Sequence, residues 1–100
     1  MVSLKMPYEF DELIKGELVV VDFFADWCGP CKMLDIVIEE VAEENPDITF
    51  VKVDADRFRS IAKDYHVLSV PVVAIFSNGK VVRQRSGLMR KEELLDFIGK

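Results

Sequence analysis

Only two cysteines and one histidine, His66, occur in these 100 residues, so the soft ligands run out before the four that a tetrahedral zinc site needs. A single-chain zinc site is disfavoured, and nothing argues for a metal shared between two chains. Side-chain amides are nearly absent, with two asparagines and one glutamine, a trend of heat-adapted chains. The longest apolar stretch, Leu18 to Ala25, is too short to cross a bilayer and is interrupted by Asp22. Met1 to Pro7 lack an apolar segment followed by a small-residue cleavage site, so no secretory leader is expected and a reducing, cytoplasmic setting is. A basic excess is missing too. The net charge of -5 disfavours nonspecific attraction to nucleic acid or an anionic membrane, and soluble protein partners fit better.

What is present is an ordinary globular balance, half hydrophobic and 31% charged, without repeat, linker or low-complexity tract. The expectation is a single domain over 1–100, large enough to bury a core without cross-links. Phe10, Leu13 and Ile14 recur at helical spacing and stop at Gly16. Leu18 to Ala25 reads as a central strand covered on both faces. From Cys31, the residues Leu34, Val37, Ile38 and Val41 mark a helix face that Asn45-Pro46 ends. Ile48 to Val53 predicts another strand, and Asp56 an N-cap for a helix carrying Phe58, Ile61, Ala62 and Tyr65 on one face. Val72 to Phe76 and Val81 to Arg85 flank Asn78-Gly79, a strong hairpin signal, and Lys80, Arg83 and Arg85 suit a guarded edge strand. Leu94, Leu95 and Ile98 place a last helix against the sheet. Alternating strands and helices closed by a hairpin and a helix predict an α/β fold with a mixed sheet covered on both faces.

Both cysteines fall in Trp27-Cys28-Gly29-Pro30-Cys31-Lys32, straight after the apolar strand. Thiols at i and i+3 meet when the second lies in the first turn of a helix. A disulfide this short removes little entropy from the unfolded chain, so it argues for redox chemistry rather than stapling. The alternatives are half of a zinc site and inert cysteines buried as small apolar residues. The turn sits at the carboxyl end of a strand, where α/β folds commonly hold their sites.

The run Val21 to Lys32, then Val70-Pro71, Asn78-Gly79 and Gly87, resembles the thioredoxin family over essentially the whole chain and in the same order. The resemblance implies a thioredoxin fold, a central mixed five-stranded sheet flanked by four helices. It also implies a general protein-disulfide reductase with a redox-active Cys28–Cys31 disulfide, no cofactor and no metal. Recharging by a thioredoxin reductase, protein disulfides as substrates and a monomeric state follow from it, with neither nucleic acid nor membrane as partner. The chain departs from the family in three places. Ile36 stands where a proline often kinks the active-site helix, Val72 where threonine often follows the cis-type proline, and Asp35 and Phe50 where some relatives place a lysine near the buried aspartate. No lysine is therefore evident beside Asp22.

Cys28, if it caps the helix, faces unpaired backbone donors and the positive end of the dipole, which favour the thiolate and make it the expected nucleophile. Cys31 then resolves the mixed disulfide. Asp22 is either a partly exposed or capping aspartate or, if buried, a carboxyl whose pKa desolvation raises toward that of a proton acceptor for Cys31, reached through water. Trp27 is either core or a shield that meets substrates. Val70-Pro71 is either a strand-start turn or, as the resemblance implies, a cis peptide holding the Val70 backbone within reach of an extended substrate. Gly29 leaves room at the sulfur, Pro30 suits the first helical turn, and Gly87 joins the substrate-facing residues through the resemblance. Gly-Pro between the cysteines resembles reducing members rather than those carrying histidine there. His66 reads as a connector residue. A different class of function stays open: a redox-independent binding subunit using the same apolar groove.

Overall fold

β2 (Val19–Phe24) carries apolar side chains on both faces, and a strand of that kind is stable only where both are covered. It therefore lies at the centre. The computed structural model describes residues 1–100. Around β2 stand β1 (Val2–Ser3), a 3-10 turn over Pro7–Glu9, α1 (Phe10–Leu13), α2 (Gly29–Glu44), β3 (Thr49–Asp54), α3 (Arg59–Asp64), β4 (Val72–Ser77), β5 (Lys80–Ser86) and α4 (Lys91–Ile98). The strand order is β1-β3-β2-β4-β5. The first three are mutually parallel, whereas β4 runs antiparallel to β2 and β5 antiparallel to β4. This is the expected mixed five-stranded sheet with four helices.

Because successive side chains along a strand point to opposite faces, β2 divides the interior into two cores. Val19, Val21 and Phe23 join Phe10, Phe58, Ile61 and Phe76 on the α1 and α3 side. Val20 joins Leu34, Ile38, Val41, Leu94 and Ile98 on the α2 and α4 side. Asp22, two residues beyond Val20, keeps that same face and so is delivered beneath α2. On the opposite side, the Phe76 ring meets Phe10 and Tyr65 nearly edge-on, with centroids 5.8 and 5.1 Å away.

The element boundaries differ from expectation in physically readable ways. α2 begins at Gly29, two residues before Cys31, since Gly29 and Pro30 can occupy a first turn whose N–H groups have no intrahelical partner. At the far end, Asn45 Nδ2 donates to the Val41 carbonyl at 2.9 Å before Pro46 forbids continuation. Asp56 is not the cap of α3. Asp54 Oδ1 accepts from the Asp56 and Arg57 N–H groups at 3.0 and 3.2 Å, and the turn so formed delays the helix to Arg59. The two-residue β1 was not anticipated; it is held by pairing with Val51 and Lys52 rather than by any pattern of its own.

Asn78 and Gly79 take φ of 52° and 85°, as a tight hairpin turn requires. Their N–H groups donate to Gly16 and Ile14 carbonyls at 2.8 and 2.9 Å, tying the hairpin to the segment between α1 and β2. β5 is the exposed edge, and Arg83 and Arg85 fold across to the Phe97 carbonyl and Glu93 of α4. Cations directed this way blunt strand addition.

Phe76→Ala should lower stability by about 3–5 kcal/mol, because it opens a cavity among rings that cannot collapse together, whereas Val82→Ala on the exposed edge should stay within about 0.5 kcal/mol. Denaturant titration of both variants checks this. A Phe76→Ala loss below about 1 kcal/mol would contradict the two-core packing.

Candidate functional site

Cys28 closes the turn after β2 with an extended backbone, φ -92° and ψ 110°, in the N-cap position of α2. Its Sγ accepts the Cys31 N–H at 3.2 Å, taking the place a serine or aspartate oxygen usually fills. Cys28 and Cys31 are joined as a disulfide with Cα atoms 5.3 Å apart. Both residues are almost fully buried, at 4% and 3% exposure, in a small apolar cluster with Ala25, Phe24 and Val70. A partner must therefore come close to touch sulfur. Gly29 leaves its surroundings open, since a Cβ there would meet nothing within 4 Å.

The Val70-Pro71 peptide is cis, and the Val70 carbonyl oxygen lies 3.8 Å from Cys28 Sγ. Gly87, at φ 95°, donates its N–H to the Pro71 carbonyl at 2.9 Å, which brings the fourth stretch of the resembled pattern to the same end of the sheet. Trp27 is 73% exposed, so it is not core. Its Nε1 donates to Asp56 Oδ2 at 2.8 Å, and that bond explains where the Asp56 carboxylate goes in place of capping α3. A groove of about 550 Å³ opens beside Trp27, bounded by α3 and by the 66–70 loop. His66 follows α3 with φ 58° and stays at the surface.

Asp22 is 2% exposed, and neither carboxylate oxygen has a hydrogen-bond partner. Desolvation dominates and pushes its pKa up to about 7, Lys52 pulling it down and Asp35 pushing it further up. The expectation that no lysine stands beside Asp22 is corrected here. In the parallel register of β2 and β3, Asp22 lies opposite Lys52. Lys52 Nζ approaches Asp35 Oδ1 to 2.7 Å and sits 4.6 Å from the centre of the Phe24 ring. The pair is a charge contact without directed hydrogen-bond geometry. Sequence reasoning missed it because the placement depends on the register of β3 against β2; alternation along β3 gives only that Lys52 shares the face of Phe50. Asp35, Lys52 and Cys31 together line a cavity of about 110 Å³. No group of three or more histidine, cysteine, aspartate or glutamate side chains is gathered as a metal site. No helix is long and apolar enough to cross a membrane.

Comparison with known proteins agrees with this geometry. The thioredoxin family model matches residues 2–100. A thioredoxin of Mycoplasmoides gallisepticum is 45% identical over 91 residues, covering 90% of this chain and 91% of its own. One from Chlamydia trachomatis is 43% identical over 100 residues, covering 100% and 98%. Among solved structures, the thioredoxin of Fasciola hepatica superposes with a TM-score of 0.90 at 38% identity, over 98% of this chain and 96% of that one. Since the likeness runs through the whole chain, and the chain closes Cys28 on Cys31 at the head of a helix, it belongs to the thioredoxin family and is a thiol–disulfide oxidoreductase working as a dithiol–disulfide reductase.

Proposed function

We propose that Cys28 is the attacking thiol, Cys31 the resolving thiol and Asp22 the proton acceptor, in a general protein-disulfide reductase recharged by a thioredoxin reductase. The observation that carries this reading is the cap: Cys28 Sγ already accepts the Cys31 N–H at 3.2 Å, at the positive end of the 16-residue α2. That environment favours a thiolate on Cys28 once the pair is reduced. Its attack bonds it to one substrate sulfur while the other leaves as a thiolate and takes a proton from solvent. Cys31 then gives up its proton toward Asp22, and its sulfur bonds Cys28 Sγ and expels the second substrate thiolate, so two electrons pass to the substrate. The 110 Å³ cavity at Cys31 has room for ordered water, and its lining includes Lys52 and Asp35, the charged neighbours of Asp22, though not Asp22 itself.

Trp27, Gly29, Pro30, Val70, Pro71 and Gly87 form the substrate-facing rim in this reading. The Val70 carbonyl beside the sulfur suits pairing with an extended segment of the substrate. The 1–100 span acts as one unit, a monomer in the cytoplasm, needing no cofactor beyond its own disulfide. Reduced thioredoxin reductase supplies the two electrons that reopen Cys28–Cys31.

Cys28→Ser should abolish disulfide reduction. Cys31→Ser should still attack and then remain linked to its substrate through Cys28, which mass spectrometry of the trapped adduct reads directly. Normal turnover by Cys31→Ser would overturn the assignment.

Asp22→Asn should separate stability from activity. At a pH well below 4 the carboxyl is protonated in folded and unfolded chains alike, and wild type and variant should differ little. As pH rises toward 7 the unfolded chain ionises while the folded one holds its proton, so the wild type loses stability that the variant keeps. Above 7 the gain should level off on the order of 2–4 kcal/mol, and resolution of the mixed disulfide should be slower in the variant at pH near 7 and above, where wild-type Asp22 is ionised and able to accept the proton. Denaturation at several pH values with single-turnover kinetics checks both halves. A variant less stable at every pH would contradict them.

The neighbouring pair should act on Asp22 with opposite signs. Lys52→Met should raise the Asp22 titration midpoint and Asp35→Asn should lower it, because the first removes the nearby cation and the second the nearby anion. NMR titration of the Asp22 carboxyl carbon reads both, and shifts in the same direction would show that the charges do not act through space on Asp22.

A further inference from the structure

The groove beside Trp27 has a chemical character that disulfide exchange alone does not require. Its walls are α3 on one side and residues 66–70 on the other, and its floor includes Ala55, Ala62 and Val67. Leu68 stands on the rim 95% exposed, opposite an indole that is itself mostly bare. Arg59 and Lys63 reach the same groove from α3. They lie four residues apart, one above the other on a single helix face.

In a chain of net charge -5, most cations are engaged by neighbours. Lys15, Lys52, Arg85, Arg90, Lys91 and Lys100 each meet a carboxylate. Arg57 and Arg83 donate to backbone carbonyls. Arg59 and Lys63, like Lys5, Lys32 and Lys80 elsewhere on the surface, do neither, although acidic residues surround them. Asp56, which also lines the groove, is held by Trp27 Nε1, and Asp54 is held by the backbone that opens the turn to α3. Asp64 follows Lys63 by one residue and so projects about 100° further round the helix.

We propose that this groove is a substrate-selecting subsite for an acidic segment flanking the target cysteine of a disulfide-bearing protein. The segment's carboxylates meet Arg59 and Lys63 while an apolar neighbour lies against Leu68 and Trp27. The proposal rests on the disulfide-reductase reading and names the substrate class for it. Continuity supports it: Val70 lies against Cys28 and also lines the groove, and Trp27 immediately precedes Cys28. A segment paired with the Val70 backbone thereby continues into the groove that Arg59 and Lys63 line. The occupant is acidic because two cations, Arg59 and Lys63, face the groove against one carboxylate, Asp56, whose Oδ2 is already turned to Trp27, even though the remote field of the chain is negative. The attraction is a contact effect between exposed groups, modest in size and sensitive to salt.

The test uses the full chain carrying Cys31→Ser and three disulfide peptides of one sequence, with Glu, Gln or Lys at the two positions on each side of the reacting cysteine. The rate of mixed-disulfide formation at low salt is the readout, and the Gln peptide is the internal reference within each protein. The Glu peptide should react about three- to tenfold faster than the Lys peptide, with the gap narrowing as salt is added. The double variant Arg59→Glu with Lys63→Glu should reverse the order. Equal rates for Glu and Lys peptides, or an acidic preference that survives the double variant, would overturn the proposal while leaving the reductase reading intact. Failure of the unsubstituted chain, chemically reduced beforehand, to reduce hydroxyethyl disulfide, which is uncharged, would overturn both.

Discussion

Burial of β2 on both faces is the constraint from which the remaining arrangement follows. A strand reading Val-Val-Val-Asp-Phe-Phe is insoluble unless helices cover each side and strands flank each edge, and β3 and β4 supply those edges while α1 with α3 and α2 with α4 supply the covers. The same alternation that divides the two cores decides which helix each β2 residue meets. Asp22 falls under α2 for the reason that Val20 does, so a carboxyl is carried into an apolar layer close to the cysteine turn. Desolvation of that carboxyl is a consequence of strand parity.

The chemistry then depends on a helix end. α2 needs acceptors for its first N–H groups, and the Cys28 sulfur serves as the cap. The redox disulfide and the start of α2 therefore share an atom.

Much of this was legible in the sequence. The order of elements followed from apolar periodicity and from Asn78-Gly79, and the site from a cysteine pair set between a buried strand and a helix. Three features were not. The Lys52–Asp35 pair needs the register between β2 and β3, which residue spacing along one strand does not contain. The late start of α3 arises because Asp54 and Asp56 compete as turn and cap residues, and an indole 29 positions away in sequence settles which carboxylate is free. β1 has too few residues to show a period at all; its partner strand alone holds it. Each miss is a tertiary contact overriding a local preference.

The bond from Trp27 to Asp56 has a thermodynamic side. An indole that is 73% exposed would ordinarily sample several rotamers, and any partner docking on it would have to freeze them. Here the hydrogen bond at 2.8 Å restricts the ring before a partner arrives. The conformational entropy is surrendered once, at folding, and encounters with successive substrates meet an aromatic surface whose orientation is already set.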